Sequence, residues 1–154
     1  MQTFPLGKLK NAMDEIVADP ALQPDQPKKG ITYCNIAIFK LVQGLGFPYF
    51  WNEKADRPMM ANEIVDYMDA HPVQFSKLYN PLTAHDLANN GYLCLAALKD
   101  QPHGHIAACY PSQNLITSGK WRVQVGEVAN VGRKNGVIGV NYAFSELPSF
   151  YICL

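Results

Sequence analysis

The chain has 154 residues, of which 48% are hydrophobic, and it balances 13 basic against 13 acidic side chains. A chain of this length is expected to fold as a single domain, residues 1–154, that buries about two thirds of its unfolded surface. The balanced charge argues against nucleic acid as a partner. The sequence has no apolar run of ~20 residues, so no membrane span is predicted.

Residues 1–30 are predicted to form an N-terminal helix over residues 7–18 and then a Pro-rich lead-in, DPALQPDQPKKG. The segment is too polar for a secretory signal. We therefore expect the protein to be made in the cytoplasm.

A second helix is predicted to begin near Cys34. Its apolar residues recur with helical spacing: Cys34, Ala37, Ile38, Leu41 and Leu45. Thr32 is the predicted N-cap, which puts Cys34 in the first turn. Unpaired backbone N–H groups and the positive end of the helix dipole favour a thiolate there, as a nucleophile requires. The other interpretation is that Cys34 is a small core residue at the top of an apolar stripe.

The rest of the chain is predicted to form two further helices and then strands. An aromatic loop, GFPYFWNEKADRP, leads to a helix over residues 59–70, and Thr83 caps a short helix with Gly91 as its C′ residue. The predicted strands are 92–98, 105–110, 121–130, 137–144 and 149–153. This order predicts an α+β fold in which N-terminal helices pack on a C-terminal antiparallel sheet.

His105 opens the apolar run HIAACY directly after a glycine. A thiol at a helix start and an imidazole at a strand start, far apart in sequence, are what a papain-like cysteine nucleophile needs. The other interpretation of His105 is a hydrogen-bonded histidine at the rim of the sheet. His103 lies in the turn before the strand and is expected to be exposed.

No metal or cofactor is predicted. His103, His105 and Cys109 are close in sequence, but no carboxylate or other fourth ligand has convincing spacing for zinc. The cysteines other than Cys34, which are Cys94, Cys109 and Cys153, lie in apolar strand-like runs and are expected to be reduced core thiols.

A third residue should orient the imidazole, and the returning strand offers two candidates. An approximate hairpin register places His105 opposite Val128, within a residue or two of Asn130 and Glu127. Because an error of one residue flips the faces of a strand, the sequence leaves both open. Asn130 is preferred, since a neutral acceptor holds a tautomer without adding charge, and Glu127 is the reserve.

Several short motifs resemble, in their order, a bacterial and phage group associated with peptidoglycan hydrolysis. They are YCNIAIFKLVQGLG, FWN, PMMANEIVDYM, AHDLANNGYLCLAALKDQPHGHIAACYP and VANVGRKNGVIGVNYAF, and they lie within residues 31–151. The arrangement is similar to the NlpC and CHAP class of papain-like cell-wall peptidases and amidases. The chain departs from the commonest pattern at Asn35, where that class has Ser.

The resemblance implies a papain-like fold and a cysteine hydrolase that cleaves an amide bond in peptidoglycan stem peptides. Cys34 would be the nucleophile, His105 the base, and Asn130, with Glu127 in reserve, the orienting residue. Such a protein would act on the cell wall after export, injection or lysis, with an inhibitor or immunity protein as a further partner.

Side chains near Cys34 are candidates for substrate binding. Tyr33 precedes the nucleophile, where its hydroxyl or backbone would contribute to an oxyanion site, and Trp51 and Asn52 would line a peptide cleft. Turn packing by Tyr33 and ordinary loop capping are the alternative interpretations. A second class of function is a non-catalytic module that presents the same aromatic surface to a glycopeptide or a protein.

Overall fold

The computed structural model describes residues 1–24 and 33–154. The α-helices in these ranges are α1 (Leu6–Ala18), α2 (Cys34–Gly44), α3 (Ala61–Ala70), α4 (Pro81–Asn89) and the short α5 (Val140–Ala143), and a 3-10 helix spans Pro20–Leu22. The predicted cap Thr32 lies outside the described residues. The helices of the described ranges include none that is long and apolar enough to cross a membrane.

The strands of the described ranges are β1 (Trp51–Asn52), β2 (Arg57–Pro58), β3 (Phe75–Leu78), β4 (Cys94–Leu98), β5 (His105–Tyr110), β6 (Ile116–Ser118), β7 (Val123–Val125), β8 (Glu127–Asn130), β9 (Gly136–Gly139) and β10 (Ser149–Cys153). Six of them form an antiparallel sheet in the order β3-β10-β4-β5-β8-β9. The β1–β2 and β6–β7 pairs are separate hairpins. The fold is therefore mixed, with helices and a six-stranded antiparallel sheet, as the α+β prediction requires.

The sheet carries an apolar core on each face. On one face, Ile106 and Ala108 of β5 pack with buried side chains of α1, α2 and α3. On the other face, Ala107 and Cys109 pack with α4 and α5. Each large apolar side chain that is fully buried contributes about 1.5–3 kcal/mol. The N-terminal helices thus pack on the sheet as predicted, but they cover only one of its faces.

The predicted strand over residues 121–130 is correct only in part, because residues 123–125 and 127–130 form two strands of different sheets. The chain turns at Arg122, whose φ is 56°, and β7 then pairs with β6 instead of β5. Of these two strands, only β8, which begins after Gly126, pairs with β5. Because an alternating pattern runs through both β7 and β8, periodicity does not separate them.

The predicted strand over residues 137–144 is wrong in its second half. β9 ends at Gly139, and the residues that follow form α5. The edge strand β3, with the sequence FSKL, is too short for periodicity to reveal, and the sequence patterns do not predict it.

Helix α4 does not begin at the predicted cap Thr83. It begins at Pro81, and the Asn80 side chain caps it by accepting a hydrogen bond from the Leu82 N–H at 2.9 Å. Proline suits the first helical position because the N–H that it lacks would have no partner within the helix. The predicted C′ glycine is confirmed, since Gly91 follows the helix with φ 86°.

Candidate active site

Helix α2 and strand β5 begin at the same end of the molecule, and the start of α3 contacts both. In the first turn of α2, Asn35 donates from Nδ2 to the Met59 carbonyl at 3.0 Å, just before α3. In the turn before β5, the Asp100 carbonyl accepts from Asn62 Nδ2 at 2.8 Å, and the Asp100 N–H donates to Asn62 Oδ1 at 3.2 Å. The thiol and the imidazole predicted to form the site therefore lie at one end of the sheet.

Gly104 sets the start of β5 against α3. A β-carbon at this position would overlap with the Asn62 side chain and the Leu98 carbonyl. Only a residue without a side chain allows this approach, so the glycine fixes where His105 begins the strand.

Cys34 is the first residue of α2, as the sequence predicts for a first-turn cysteine. Tyr33 is the N-cap, and its carbonyl accepts the first helical hydrogen bond, from the Ala37 N–H at 2.9 Å. The first turn carries no acidic side chain, and Cys34 is buried with 4% of its surface exposed. The helix dipole at this position favours the thiolate form, while the nucleophilic role itself stays a prediction.

The structure brings together His105 and Asn130. Asn130 Oδ1 lies 2.6 Å from His105 Nε2, and Asn130 Nδ2 donates to the Lys134 carbonyl at 2.7 Å. A carbonyl oxygen can only accept, so the amide nitrogen faces Lys134 and the amide oxygen faces the ring. His105 Nε2 must then carry the proton.

The same contacts define what the imidazole can do. With the proton on Nε2, the neutral ring of His105 has its lone pair on Nδ1 and can accept a proton there. Burial lowers the pKa of His105 below its usual value, and the hydrogen bond to Asn130 raises that pKa in partial compensation. The ring is therefore held neutral, in one tautomer, near pH 7.

The register that supports this pair differs from the predicted one. Cys109 pairs with Val128 and Ala108 with Ala129, so the prediction of Val128 opposite His105 is wrong by several residues. The inserted β6–β7 hairpin lengthens the connection and shifts the register. Continued along the strands, the observed register puts Gly132 opposite His105.

Asn130 therefore reaches His105 as a diagonal neighbour, two positions from Gly132 on the same face. A β-carbon on Gly132 would lie 3.2 Å from His105 Cε1, closer than an ordinary contact. The small residue leaves space for the ring, and the next side chain on that face supplies its hydrogen-bond partner.

Glu127, the reserve candidate, lies at the other end of β5. It pairs with Tyr110, about 16 Å from His105 at ~3.3 Å per residue of strand. Its carboxylate accepts hydrogen bonds from Ser112 Oγ at 2.8 Å and from Asn114 Nδ2 at 3.0 Å. The placement of Glu127 beside His105 is therefore corrected, because the hairpin register behind it is wrong.

The Cys34 thiol and the His105 ring belong to opposite faces of the sheet. Along β5, His105 alternates with Ile106, and its ring packs against Phe144 on the α5 side with centroids 4.9 Å apart. Cys34 belongs to the core on the α2 side. A contact between Cys34 Sγ and a ring nitrogen of His105 would have to pass the start of β5. The expected distance of ~4 Å between these atoms stays a prediction.

The predicted substrate-binding residues have mainly structural contacts. Tyr33 packs against the α2-side core, and the half-buried Asn52 accepts from the Ala55 N–H at 3.0 Å. Trp51 is 36% exposed and packs on Phe39, with ring centroids 5.5 Å apart. Trp51 is thus available to a ligand, and the binding roles of all three stay predictions.

The β1–β2 hairpin that carries Trp51 is tied to the start of α3 by an ion pair. Arg57 Nη1 lies 2.9 Å from Glu63 Oε2, and Glu63 also accepts from the Met60 N–H at 2.7 Å and from Asn52 Nδ2 at 3.3 Å. The hydrogen bonds from Arg57 are the largest cause of a lowered pKa of Glu63, and the same bonds raise the pKa of Arg57. The hairpin is a preformed surface beside the start of α3.

The other three thiols lie in strands of the sheet, whereas Cys34 begins a helix. Cys94, Cys109 and Cys153 are buried free thiols. Burial raises the pKa of Cys94 to about 12, and it also raises the pKa values of Cys109 and Cys153. These thiols are therefore poor nucleophiles.

The remaining histidine of the predicted turn, His103, is exposed, as expected. Residues 1–24 and 33–154 contain no group of three or more His, Cys, Asp or Glu side chains able to hold a metal ion. Sequence patterns missed the Lys134 carbonyl, because a backbone acceptor has no residue-type signal.

No protein-family model matches the chain, and the search of curated proteins likewise found no match. The resemblance to cell-wall peptidases therefore rests on the short sequence motifs alone.

Proposed function

We propose that the protein is a papain-like cysteine hydrolase that cleaves an amide bond in peptidoglycan stem peptides. The observation that carries the proposal is the hydrogen-bonded series from His105 through Asn130 to the Lys134 carbonyl. It holds a neutral imidazole with Nδ1 as its proton acceptor, at the end of the sheet where α2 begins with Cys34. A Cys-His-Asn site needs these parts.

In the proposed reaction, His105 Nδ1 takes the proton of the Cys34 thiol, and the thiolate attacks the carbonyl carbon of the amide. The C–N bond then breaks as the imidazolium gives its proton to the leaving amine. Water, deprotonated by His105, cleaves the thioester and restores the thiol. Asn130 keeps the ring oriented throughout and does not exchange a proton.

Surface features at this end suit an acidic peptide. Arg133 and Lys134 are exposed on the loop that holds Asn130, and stem peptides carry carboxylates. Trp51 offers an exposed ring beside the start of α3. These features support peptidoglycan as the substrate. We further propose that the protein reaches the cell wall after export, injection or lysis, and that an inhibitor or immunity protein is a further partner.

The proposal is tested by measuring peptidoglycan hydrolysis and the reactivity of the Cys34 thiol. Purified peptidoglycan digested with the wild-type protein should give new amine and carboxyl ends, identified by mass, and Cys34→Ala should abolish them. The substitution should cost only about 1–2 kcal/mol of stability, so the variant should remain folded. Cys94→Ala is the matched control and should retain turnover.

Iodoacetamide at mildly acidic pH should label Cys34 much faster than the other cysteines, because only a thiolate reacts. Equal labelling of all four cysteines, together with intact peptidoglycan, would reject the hydrolase.

A non-catalytic binding module is the second candidate, and the placement of Cys34 and the His105 ring toward opposite cores favours it. Wild-type protein that binds stem peptides without cleaving them, and binds equally well as Cys34→Ala, would support this function instead.

A further inference from the structure

Asn135 closes the loop that holds the Lys134 carbonyl. Its Oδ1 accepts from the Gly132 N–H at 2.9 Å, and its Nδ2 donates to the Leu22 carbonyl at 2.8 Å. The first bond ties the two ends of the loop together, and the second ties the loop to the 3-10 helix that follows α1. The position of the Lys134 carbonyl thus depends on a side chain that does not touch His105.

We propose that Asn135 is a positioning residue: through the Lys134 carbonyl and Asn130, it selects the His105 tautomer that has its lone pair on Nδ1. The consequence for turnover rests on the proposed hydrolase function, whereas the selection of the tautomer does not.

The physical reason lies in the near symmetry of an amide. The two ends of the Asn130 side chain have almost the same shape, so the groups around them decide which end faces the ring. The Lys134 carbonyl accepts from Nδ2 at 2.7 Å and turns Oδ1 toward His105. If that carbonyl moves away, Asn130 can present its NH₂ group to Nε2.

The reversed amide would change the chemistry of the ring. Nε2 would then accept a hydrogen bond, and the neutral imidazole would carry its proton on Nδ1. A ring in that form cannot take the Cys34 proton through Nδ1. Any fraction of molecules with the reversed amide is lost to catalysis without a change in the substrate-binding surface.

The tautomer can be measured directly by ¹⁵N NMR of the histidine rings in the full chain at neutral pH, with Cys34→Ala as the background so that the thiol does not ionise against the ring. His105 should show a protonated Nε2 and an unprotonated Nδ1. Asn135→Ala should give a mixture of both tautomers. Asn135→Asp keeps the acceptor for the Gly132 N–H but loses the donor to the Leu22 carbonyl, so it should restore the single tautomer only in part, with a smaller Nδ1–H fraction than Asn135→Ala.

Asn114→Ala is the matched control, because Asn114 also bonds through Nδ2, to Glu127 at 3.0 Å, but at the far end of β5. It should leave the His105 tautomer unchanged. With Cys34 intact, Asn135→Ala should lower kcat by about tenfold at unchanged KM, in proportion to the competent fraction, and Asn135→Asp should recover part of it.

A protonated Nδ1 in the parent protein would overturn the proposal even if Asn135→Ala failed to fold. A single Nε2–H tautomer in folded Asn135→Ala would overturn it as well, and so would an Asn135→Asp variant as mixed as Asn135→Ala. Absence of peptidoglycan cleavage by the wild-type protein would reject the hydrolase, while the tautomer measurement would still test the role of Asn135.

Discussion

Within residues 1–24 and 33–154, two histidine–asparagine pairs have opposite hydrogen-bond polarity. In the first, Asn130 Oδ1 lies 2.6 Å from His105 Nε2. In the second, on α4, Asn89 Nδ2 lies 3.2 Å from His85 Nε2. An amide oxygen makes the ring nitrogen a donor, whereas an amide nitrogen makes it an acceptor. The two pairs therefore leave opposite ring nitrogens with the lone pair.

The difference comes from the third group of each pair. Asn89 Nδ2 donates to the Ser112 carbonyl at 2.9 Å and to the His85 carbonyl at 3.1 Å, so the nitrogen end of the amide faces the His85 ring. His85 Nδ1 must then carry the proton, and within the described ranges it is buried without a hydrogen-bond partner. The residue types alone do not define a proton acceptor; the backbone carbonyls around the amide do.

The largest expected effect separates the two histidines. His105→Ala should lower turnover on peptidoglycan fragments by about 10³-fold, in the range of general base catalysis, because it removes the proton acceptor. His85→Ala should change turnover by no more than about twofold, since its unprotonated nitrogen faces Asn89. Steady-state kinetics of both variants tests the contrast, and similar losses in the two would refute it.

A smaller effect is expected from the asparagines. Asn130→Ala should lower turnover by roughly ten- to a hundredfold, because the ring remains but is no longer oriented. Asn89→Ala should cost about 1–3 kcal/mol of stability, since it leaves partly buried acceptors unpaired, with little effect on turnover. Urea unfolding and kinetics of each variant separate the two costs.

Glu127→Gln is the control for this pair of substitutions, because Glu127 bonds to Ser112 and Asn114 away from His105. It should change turnover little. If Glu127→Gln were the crippling change, the assignment of Asn130 would be wrong.

The smallest expected effect is on proton binding by His105. Its pKa should lie below the ordinary 6.5, because burial disfavours the imidazolium. Asn130→Ala should lower this pKa further, since the bond to Asn130 favours the charged ring. NMR titration of the ring in a Cys34→Ala background measures both values, and a higher pKa in Asn130→Ala would contradict the stated balance.

The lowered pKa of His105 also makes the stability of the fold depend on pH. Between the folded and the unfolded pKa, the unfolded chain binds more protons, so stability rises with pH in that window. The contribution of His105 is complete above about pH 6.5 and is lost as the pH falls through the folded pKa. Unfolding free energies measured across this range should flatten in His105→Gln.

The local sequence predicts where α2 and β5 begin, and so where Cys34 and His105 lie in the elements, but it does not predict the distance between the two residues. The starts of α2 at Cys34 and of β5 at His105 follow polar or breaker-rich segments and lead into apolar runs, so the local pattern determines them. The register of β8 depends on the β6–β7 hairpin, which has the same alternation as the sheet strands. Long-range pairing of this kind leaves no local signal.

The orienting residue could be predicted only in part. Residue chemistry predicts Asn130 as a neutral acceptor, although the predicted strand register is wrong. The Lys134 carbonyl and the Gly132 N–H, which hold the loop around it, are backbone groups common to every non-proline residue. Their role becomes visible only when the loop geometry is known.

The contact of Gly104 with Asn62 has a consequence for protein engineering. The turn before β5 has exposed positions at Gln101 and His103, which a randomised library can vary, while position 104 has no room for any side chain next to Asn62. A shorter residue at position 62 would not release position 104, because the Leu98 carbonyl would still lie 2.6 Å from a β-carbon there. Libraries that vary this turn should therefore keep glycine at position 104.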